Sequence, residues 1–178
     1  RWWLDVGLAA GLAPGHALRA WLAEASEAGL VSDGVIAQSQ SQRQQFWALR
    51  ENIPEANRRI GSVSSHDISV PLSAIPAFIE LGNQAIAQLG SFRVNCFGHV
   101  GDGNLHYNVF PVDGKSRADH EHQREDIKRT VHDLVHDMGG SVSAEHGVGR
   151  LKVADLERYS DPVKLTTMRA ITDALYPT

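Results

Sequence analysis

The sequence is poor in cysteine, in clustered positive charge and in long apolar stretches. Cys96 is its only cysteine, so no disulfide can form within the chain. The formal net charge is −4, and no run of lysine and arginine offers a surface for nucleic acid. No apolar stretch approaches the roughly 18 residues of a membrane-spanning helix, and the start of the chain lacks the pattern of a signal peptide. We therefore expect a cytoplasmic protein without a membrane span that binds no nucleic acid.

The composition is that of a globular chain with one core. Its 178 residues are 42% hydrophobic, which is enough to bury a sizeable core, so we predict one domain over residues 1–178. Cys96 lies in an apolar run and is expected to be a buried strand residue. Because the first residue is not Met and the chain stops just after a helical pattern, we expect a fragment of a longer protein.

Apolar side chains three and four positions apart predict a series of helices. Pro54 should kink or restart the second helix, and Ser73 is a residue of the capping type at the start of the third. Gly82 should be a weak point on the apolar face of that third helix. The predicted helices cover residues 16–29, 42–59, 73–89, 119–138, 153–159 and 162–175.

Alternating or apolar runs predict strands over residues 31–38, 63–70, 92–99 and 105–110. The Gly-Asp-Gly-Asn sequence at 101–104 supplies the turn residues for a hairpin between the last two strands. Strands alternate with helices, but no glycine-rich dinucleotide-binding turn follows a strand. We predict an α+β fold of the ferredoxin-like kind, with a mostly antiparallel sheet covered by helices.

Two segments carry residues suited to metal chemistry. The predicted hairpin brings His99 and His106 together, and neutral imidazole is a ligand that zinc prefers. Glu145 and His146 lie in a glycine-rich loop at 143–152, where Glu145 could supply an anionic third ligand. Three protein ligands would leave coordination positions open for substrate, which is typical of catalytic sites.

A purely structural role is the alternative for the same residues. Paired histidines can hydrogen-bond across a turn, and a Glu-His pair can cap a helix near Arg150. His132 and His136 form a rival metal pair on a helix, but their acidic neighbours indicate an ordinary solvated face. His120 and His122 have an equally weak claim, and the glycine turns at 101–103 and 147–149 lack the spacing and the lysine of a phosphate-binding loop.

Residues 98–106 and 143–152 together resemble the two signature segments of the C-terminal domain of FAD-linked oxidases. That family includes D-lactate dehydrogenases, glycolate oxidase and D-2-hydroxyglutarate dehydrogenases. Residues 46–51 are similar to a helix found upstream in the family, and residues 66–71 are similar to the strand that follows it. The resemblance covers about residues 46–177.

The resemblance implies a role for six residues. His99, His106 and Glu145 match the ligands of zinc or a similar divalent ion, and His146 matches the general base. Asn108 matches an asparagine that contacts substrate. Arg50 matches the arginine that binds the substrate carboxylate, although a surface ion pair with Glu51 or Glu55 is an equally good account of it.

The sequence also departs from the family it resembles. The 2-hydroxyglutarate enzymes carry threonine and lysine near the substrate where this chain has Pro54 and Ser65, which favours a substrate with one carboxylate. The family also has an N-terminal FAD-binding domain and a C-terminal tail that touches the flavin, and we expect both to be absent from this chain. No FAD-binding residues are identified, so the chain alone should neither bind FAD nor turn over.

The expected reaction is the oxidation of a D-2-hydroxy acid to the 2-oxo acid. Arg50 would hold the carboxylate, the metal would polarise the hydroxyl oxygen, and His146 would remove its proton while FAD takes the hydride. Expected partners are the substrate, the FAD domain of the same protein and an electron acceptor, and a second copy of the chain is a further candidate. Two alternatives are a non-catalytic assembly module that presents Trp2 and Trp3 to a partner, and a free-standing metal enzyme with two histidines and one carboxylate.

Overall fold

The computed structural model describes residues 14–176, so the predicted contact of Trp2 and Trp3 with a partner lies outside the described residues. The chain divides into two compact units, at residues 1–59 and 60–178. Compact units of one chain need not fold independently, so a single domain over residues 1–178 stays a prediction. No helix among residues 14–176 combines the length and the apolar character that a membrane span would need.

The first unit is helical in the part that the structure describes. Its helices are α1 (Pro14–Glu27), α2 (Gln40–Glu51) and α3 (Ile53–Ile60), the last of which ends just beyond the unit boundary. Pro54 lies in the first turn of α3, which confirms that it restarts the helix, because a proline there loses no helical hydrogen bond.

The predicted strand at 31–38 is wrong, because the segment forms an irregular connection between α1 and α2. A strand needs a neighbour to pair its backbone N–H and C=O groups. None of the strands within residues 14–176 pairs with this segment. Val35, one of the residues that gave it an apolar pattern, is 77% exposed.

The second unit is an α+β layer, as predicted. Its elements are β1 (Ser64–Ser69), α4 (Ile75–Leu89), β2 (Phe92–Phe97), β3 (Asn104–Pro111), α5 (Arg124–Asp137), α6 (Val153–Tyr159) and α7 (Pro162–Leu175). The sheet is antiparallel throughout, in the order β1-β3-β2. A single antiparallel bridge joins Ser69 to Ser141. The unit therefore has the βαββαβ order of a ferredoxin-like fold with its fourth strand reduced to one bridge.

Two predicted helices begin differently from the prediction. A 3₁₀ turn at Leu72–Ala74 precedes α4, and Ser73 makes no capping hydrogen bond to it. The predicted helix at 119–138 is a 3₁₀ segment, Arg117–Gln123, followed by α5. At the end of α6, Asp161 accepts hydrogen bonds from the first backbone N–H groups of α7, as the capping preference of aspartate predicts.

One face of the sheet packs against α4 and α5 and forms the core. Tyr107 at its centre is completely buried, and its hydroxyl donates to Asn83 Oδ1 at 2.9 Å. A Cβ atom on Gly82 would lie 3.2 Å from that hydroxyl oxygen, so glycine at this position makes room for Tyr107. The predicted weakness of the helix at Gly82 stays a prediction. The other fully or nearly buried core residues are Val63, Ile68, Val70, Ile75, Phe78, Ile86, Leu105, Val109, Ile127, Val131 and Val135.

Cys96 lies on β2 and packs against this core. The expectation of a strand position is confirmed, and the side chain is partly buried. Burial raises the pKa of its thiol to about 11, because the apolar surroundings disfavour the charged thiolate. The cysteine is therefore a packing residue in this fold rather than a reactive thiol.

Candidate functional site

The second face of the sheet carries polar residues, because side chains alternate between the two faces of each strand. Asp67 pairs with His106 across β1 and β3, and Ser65 pairs with Asn108 one step further along. We call this surface the polar face. It consists of Ser65, Asp67, Asn95, Asn104, His106 and Asn108.

The hairpin turn at the end of the polar face depends on close backbone contacts. A Cβ atom on Gly98 would collide with the carbonyl oxygen of Asn104, so the two strands can approach only with glycine at this position. Gly103 has a φ of 79°, in the left-handed region, and a Cβ atom there would collide with the carbonyl oxygen of Val70. These contacts hold His99 just beyond β2 and His106 within β3, on either side of the turn.

The loop that carries Glu145 and His146 is attached to β1. Oδ2 of Asp67 accepts hydrogen bonds from the backbone N–H groups of Glu145, at 2.9 Å, and His146, at 2.8 Å. The backbone N–H of Ala144 also donates to the carbonyl oxygen of Asp67. Two sequence segments that are nearly eighty residues apart therefore meet at the end of the polar face.

The predicted ligands meet in two neighbouring groups. Nδ1 of His99 lies 2.7 Å from Oε1 of Glu145. His106 instead joins Asp67 and His146, and ligand atoms of these three residues lie within 4.8 Å of one another. Within the described residues 14–176, that is the group compact enough to hold one ion, and it shares only His106 with the predicted set of His99, His106 and Glu145.

Burial, hydrogen bonds and nearby charges shift the pKa values of His106 and Asp67. Burial lowers the pKa of His106, and the nearby carboxylates of Asp67 and Glu145 only partly oppose that shift. Burial alone would raise the pKa of Asp67, but the N–H groups of His146 and Glu145 bring it below its ordinary value. At neutral pH the site therefore pairs a neutral imidazole with an ionised carboxylate, which is the form in which both can act as ligands.

The two predicted substrate-binding residues lie in different units. Asn108 is 7% exposed on β3, and its Nδ2 donates to the carbonyl oxygen of His106. Arg50 lies near the end of α2, where its guanidinium is 3.5 Å from Glu51 and 5.7 Å from the centre of the Trp47 ring. The alternative that the sequence left open for Arg50, a pair with Glu51, is thus present, whereas Glu55 pairs with Arg58 and Arg59.

A buried chain of polar groups behind the sheet was missed by the sequence analysis. His132 is 2% exposed rather than part of a solvated face, and its Nδ1 lies 3.3 Å from Oδ1 of Asp155. Its Nε2 lies 3.3 Å from Nδ1 of His66, which is 3% exposed. The inward position of His66 in the alternation of β1 was the available signal, whereas the return of α6 to α5 left no trace in the spacing.

This buried chain fixes the direction of its hydrogen bonds. A carboxylate oxygen of Asp155 accepts from Nδ1 of His132, so Nε2 of His132 accepts from Nδ1 of His66. Burial lowers the pKa of both imidazoles, and the positive charges of Lys128 and Lys152 lower them further. With both rings neutral, Nδ1 of His66 carries the proton of the hydrogen bond between the rings and Nε2 of His132 accepts it. His136, the other half of the rival pair, is exposed.

Comparisons with known proteins found one matching family model and several relatives. The family model described as "FAD linked oxidases, C-terminal domain" matches residues 9–178. A D-2-hydroxyglutarate dehydrogenase from Xanthomonas citri pv. viticola is 40% identical over 153 residues, covering 85% of this chain and 32% of that protein. A mitochondrial D-2-hydroxyglutarate dehydrogenase from Bos taurus is 37% identical over 174 residues, covering 94% and 30%. A putative mitochondrial D-lactate dehydrogenase from Schizosaccharomyces pombe is 36% identical over 139 residues, covering 71% and 25%. The chain thus spans a third or less of the length of these curated relatives.

Proposed function

Because the chain belongs to the family of C-terminal domains of FAD-linked oxidases, we propose that it is the substrate-handling part of an FAD-dependent D-2-hydroxy-acid dehydrogenase. The observation that carries the proposal is the meeting of the hairpin histidines with the Glu-His loop at one end of the polar face. His106 and His146 share a compact group there, next to the contact between His99 and Glu145. This arrangement depends on contacts between the hairpin and the loop, which are far apart in the sequence.

The donor set in this region suits a divalent metal ion. His99, His106 and Glu145 offer two imidazole nitrogens and a carboxylate, which are ligands of zinc and related ions. Glu145 already contacts His99, and its charge acts on the pKa of His106. We propose these three residues as the ligands. When bound, such an ion would supply Lewis-acid polarisation of the substrate hydroxyl.

His146 is proposed as the general base. Its ring centroid lies 6.1 Å from that of His106, and its backbone is fixed by Asp67. The side chain is exposed, so a substrate can reach it. In this role an imidazole nitrogen of His146 takes the hydroxyl proton of the D-2-hydroxy acid. FAD, bound by a separate domain, supplies the acceptor for the hydride that leaves the same carbon.

Arg50 and Asn108 are proposed to bind the substrate. A guanidinium can hold a carboxylate with two parallel charge-assisted hydrogen bonds. The partly exposed pair of Arg50 with Glu51, at 3.5 Å, is worth under about 1 kcal/mol, so a substrate carboxylate can replace it. The amide of Asn108 lies on the polar face, two residues beyond His106.

Two observations favour substrates of different length. The names of the relatives favour D-2-hydroxyglutarate, which has a second carboxylate. Ser65 favours a shorter acid such as D-lactate, because this uncharged residue stands on the polar face opposite Asn108. Values of kcat/KM for the two acids, measured with the full-length protein, decide between them.

The test of the function uses the full-length protein with its flavin domain. His146→Ala should lower kcat for D-2-hydroxy-acid oxidation by about 10² to 10⁴, because a positioned general base contributes that factor. Flavin content, read from the absorption spectrum, should not change. The matched control is His122→Ala, since His122 is exposed on a 3₁₀ segment.

Three results would each contradict part of the proposal. Turnover of His146→Ala equal to that of the parent enzyme removes His146 from the role of base. Full metal occupancy in His99→Ala, measured by elemental analysis for zinc, iron and manganese, removes His99 from the ligand set. If the full-length protein shows no flavin spectrum, an FAD-dependent reaction is excluded.

A further inference from the structure

We propose that Asp67 is a positioning residue that holds the Glu145-His146 loop and the hairpin in one fixed arrangement. The inference rests on the proposed function, because it assigns a role in the same site. By resemblance to the family, Asp67 was assigned only to the strand at residues 66–71. The structure adds four contacts to it, and they reach both segments that carry the proposed chemistry.

The contacts of Asp67 divide between its two carboxylate oxygens. Oδ2 accepts from the backbone N–H groups of Glu145 and His146, two consecutive residues of the loop. Oδ1 accepts from the side-chain amide of Asn104 at 3.2 Å and lies 3.9 Å from Nδ1 of His106. The residue is 8% exposed, so water competes little for these bonds.

The same contacts distinguish positioning from metal binding. A carboxylate has about four lone-pair directions, and three hydrogen bonds already occupy most of those of Asp67. Oδ2 in particular is aimed at two amide groups. Although Asp67 belongs to the compact group with His106 and His146, its carboxylate therefore holds the site together rather than facing an ion.

The loop needs such an anchor because residues 142–149 belong to no helix or strand that could fix them. Gly147 and Gly149 both have positive φ values, and added Cβ atoms at either would meet nothing within 4 Å. The backbone N–H groups of Glu145 and His146 bond to the Asp67 carboxylate, whereas Ser143 and Lys152 hold the neighbouring parts of the loop. Loss of the carboxylate should release Glu145 from His99 and His146 from His106 at the same time.

The experiment compares Asp67→Asn with Asp113→Asn in the full-length flavoprotein. The asparagine keeps the shape of the side chain but puts an N–H₂ group in place of one accepting oxygen. We expect metal affinity, measured by competition with a chelator, and kcat at saturating metal each to fall about 10- to 100-fold. Flavin content and melting temperature should stay close to those of the parent. The control carboxylate, Asp113, is 93% exposed near the far end of the sheet and should behave like the parent.

A second measurement does not depend on the variant. In the parent protein, amide hydrogen exchange at Glu145 and His146 should be slow for an exposed loop, because both N–H groups are bonded to Asp67. Asp67→Asn should speed both. Fast exchange in the parent overturns the positioning role even if the variant fails to fold.

The outcomes separate the two proposals. Parent-like metal affinity and kcat in Asp67→Asn, with His146→Ala inactive, overturn the role of Asp67 and leave the function standing. Parent-like turnover in His146→Ala overturns the role of His146 as base, and a missing flavin spectrum overturns the function. In either case the exchange rates at Glu145 and His146 decide the anchoring role alone. Loss of kcat in Asp67→Asn with unchanged exchange also overturns the role, since the carboxylate would then act without holding the loop.

Discussion

The two faces of the sheet use the same three strands for different purposes. On β3, Tyr107 faces the core and is completely buried, whereas its neighbours His106 and Asn108 face the proposed site. Each strand therefore carries packing residues and chemical residues in alternation. We therefore expect that stability and chemistry can be changed separately, by substitutions at neighbouring residues of one strand.

The largest effect is expected on the core side. Phe78→Ala should lower the free energy of unfolding by about 3–5 kcal/mol, because Phe78 is completely buried and its ring packs edge-on against Tyr107. Leu81→Ala on the same helix is the control, since Leu81 is 45% exposed and should cost far less. Denaturant unfolding measures both.

The activity of the Phe78→Ala variant tests whether the two faces of the sheet act separately. If Phe78→Ala retains kcat and KM at a temperature where it is folded, the core face supports the site only through stability. A large change in kcat in the folded variant would show that the two faces are coupled.

An intermediate effect is expected on the polar face. Asn108→Ala should lower kcat/KM about tenfold, which corresponds to losing one hydrogen bond of about 1–1.5 kcal/mol to the substrate. The melting temperature should change little, because within residues 14–176 the side chain makes one hydrogen bond, to the carbonyl oxygen of His106. Steady-state kinetics and thermal unfolding of the full-length protein test this, and a large drop in melting temperature with unchanged kcat/KM would reverse the assignment.

The smallest effect is expected on the pH dependence of the free energy of unfolding, through the buried His66 and His132. The pKa values of His66 and His132 are lowered in the folded state, so the unfolded chain binds more protons below its ordinary histidine pKa of about 6.5. Stability is therefore complete above that pH and declines as pH falls below it. The groups that contact His66 or act on its charge are His132 and Lys128 from α5, Tyr107 from β3, and Lys152. Asp155 and Tyr159 from α6 contact His132 instead.

His66→Phe should make this decline shallower, because one neutral imidazole no longer has to gain a proton on unfolding. Denaturant unfolding between about pH 7 and pH 5 checks the slope, with His122→Phe as the exposed control. An unchanged slope in His66→Phe would mean that other groups control the acid sensitivity.

Much of the second unit was predictable from local patterns. The alternation at 63–70 predicted β1, the turn residues at 101–104 predicted the hairpin, and Asp161 with Pro162 marked the start of α7. These features depend on the period of a strand, on turn chemistry and on capping, which act over a few residues. The false strand at 31–38 shows the limit, because a strand exists only where a partner pairs with it.

The residues proposed for the site came from the sequence, but the contacts between them could not. His99, His106, Glu145 and His146 were all chosen from two short segments, yet the contact of His99 with Glu145 spans 46 residues. No period or turn signal encodes such a distance. For the same reason the sequence could not show that Asp67 bonds the loop or that His132 meets His66, since both depend on how whole elements pack.

The neighbouring positions of His66 and Asp67 have an evolutionary consequence. Adding or deleting one residue within β1 would move each following side chain of the strand to the opposite face of the sheet, because the side-chain period of a strand is two. Asp67 would then be driven into apolar surroundings while His66 entered the solvent, and packing and catalysis would fail in a single event. Length changes along this lineage should therefore accumulate in surface turns, such as the one at Gly114, and spare this strand.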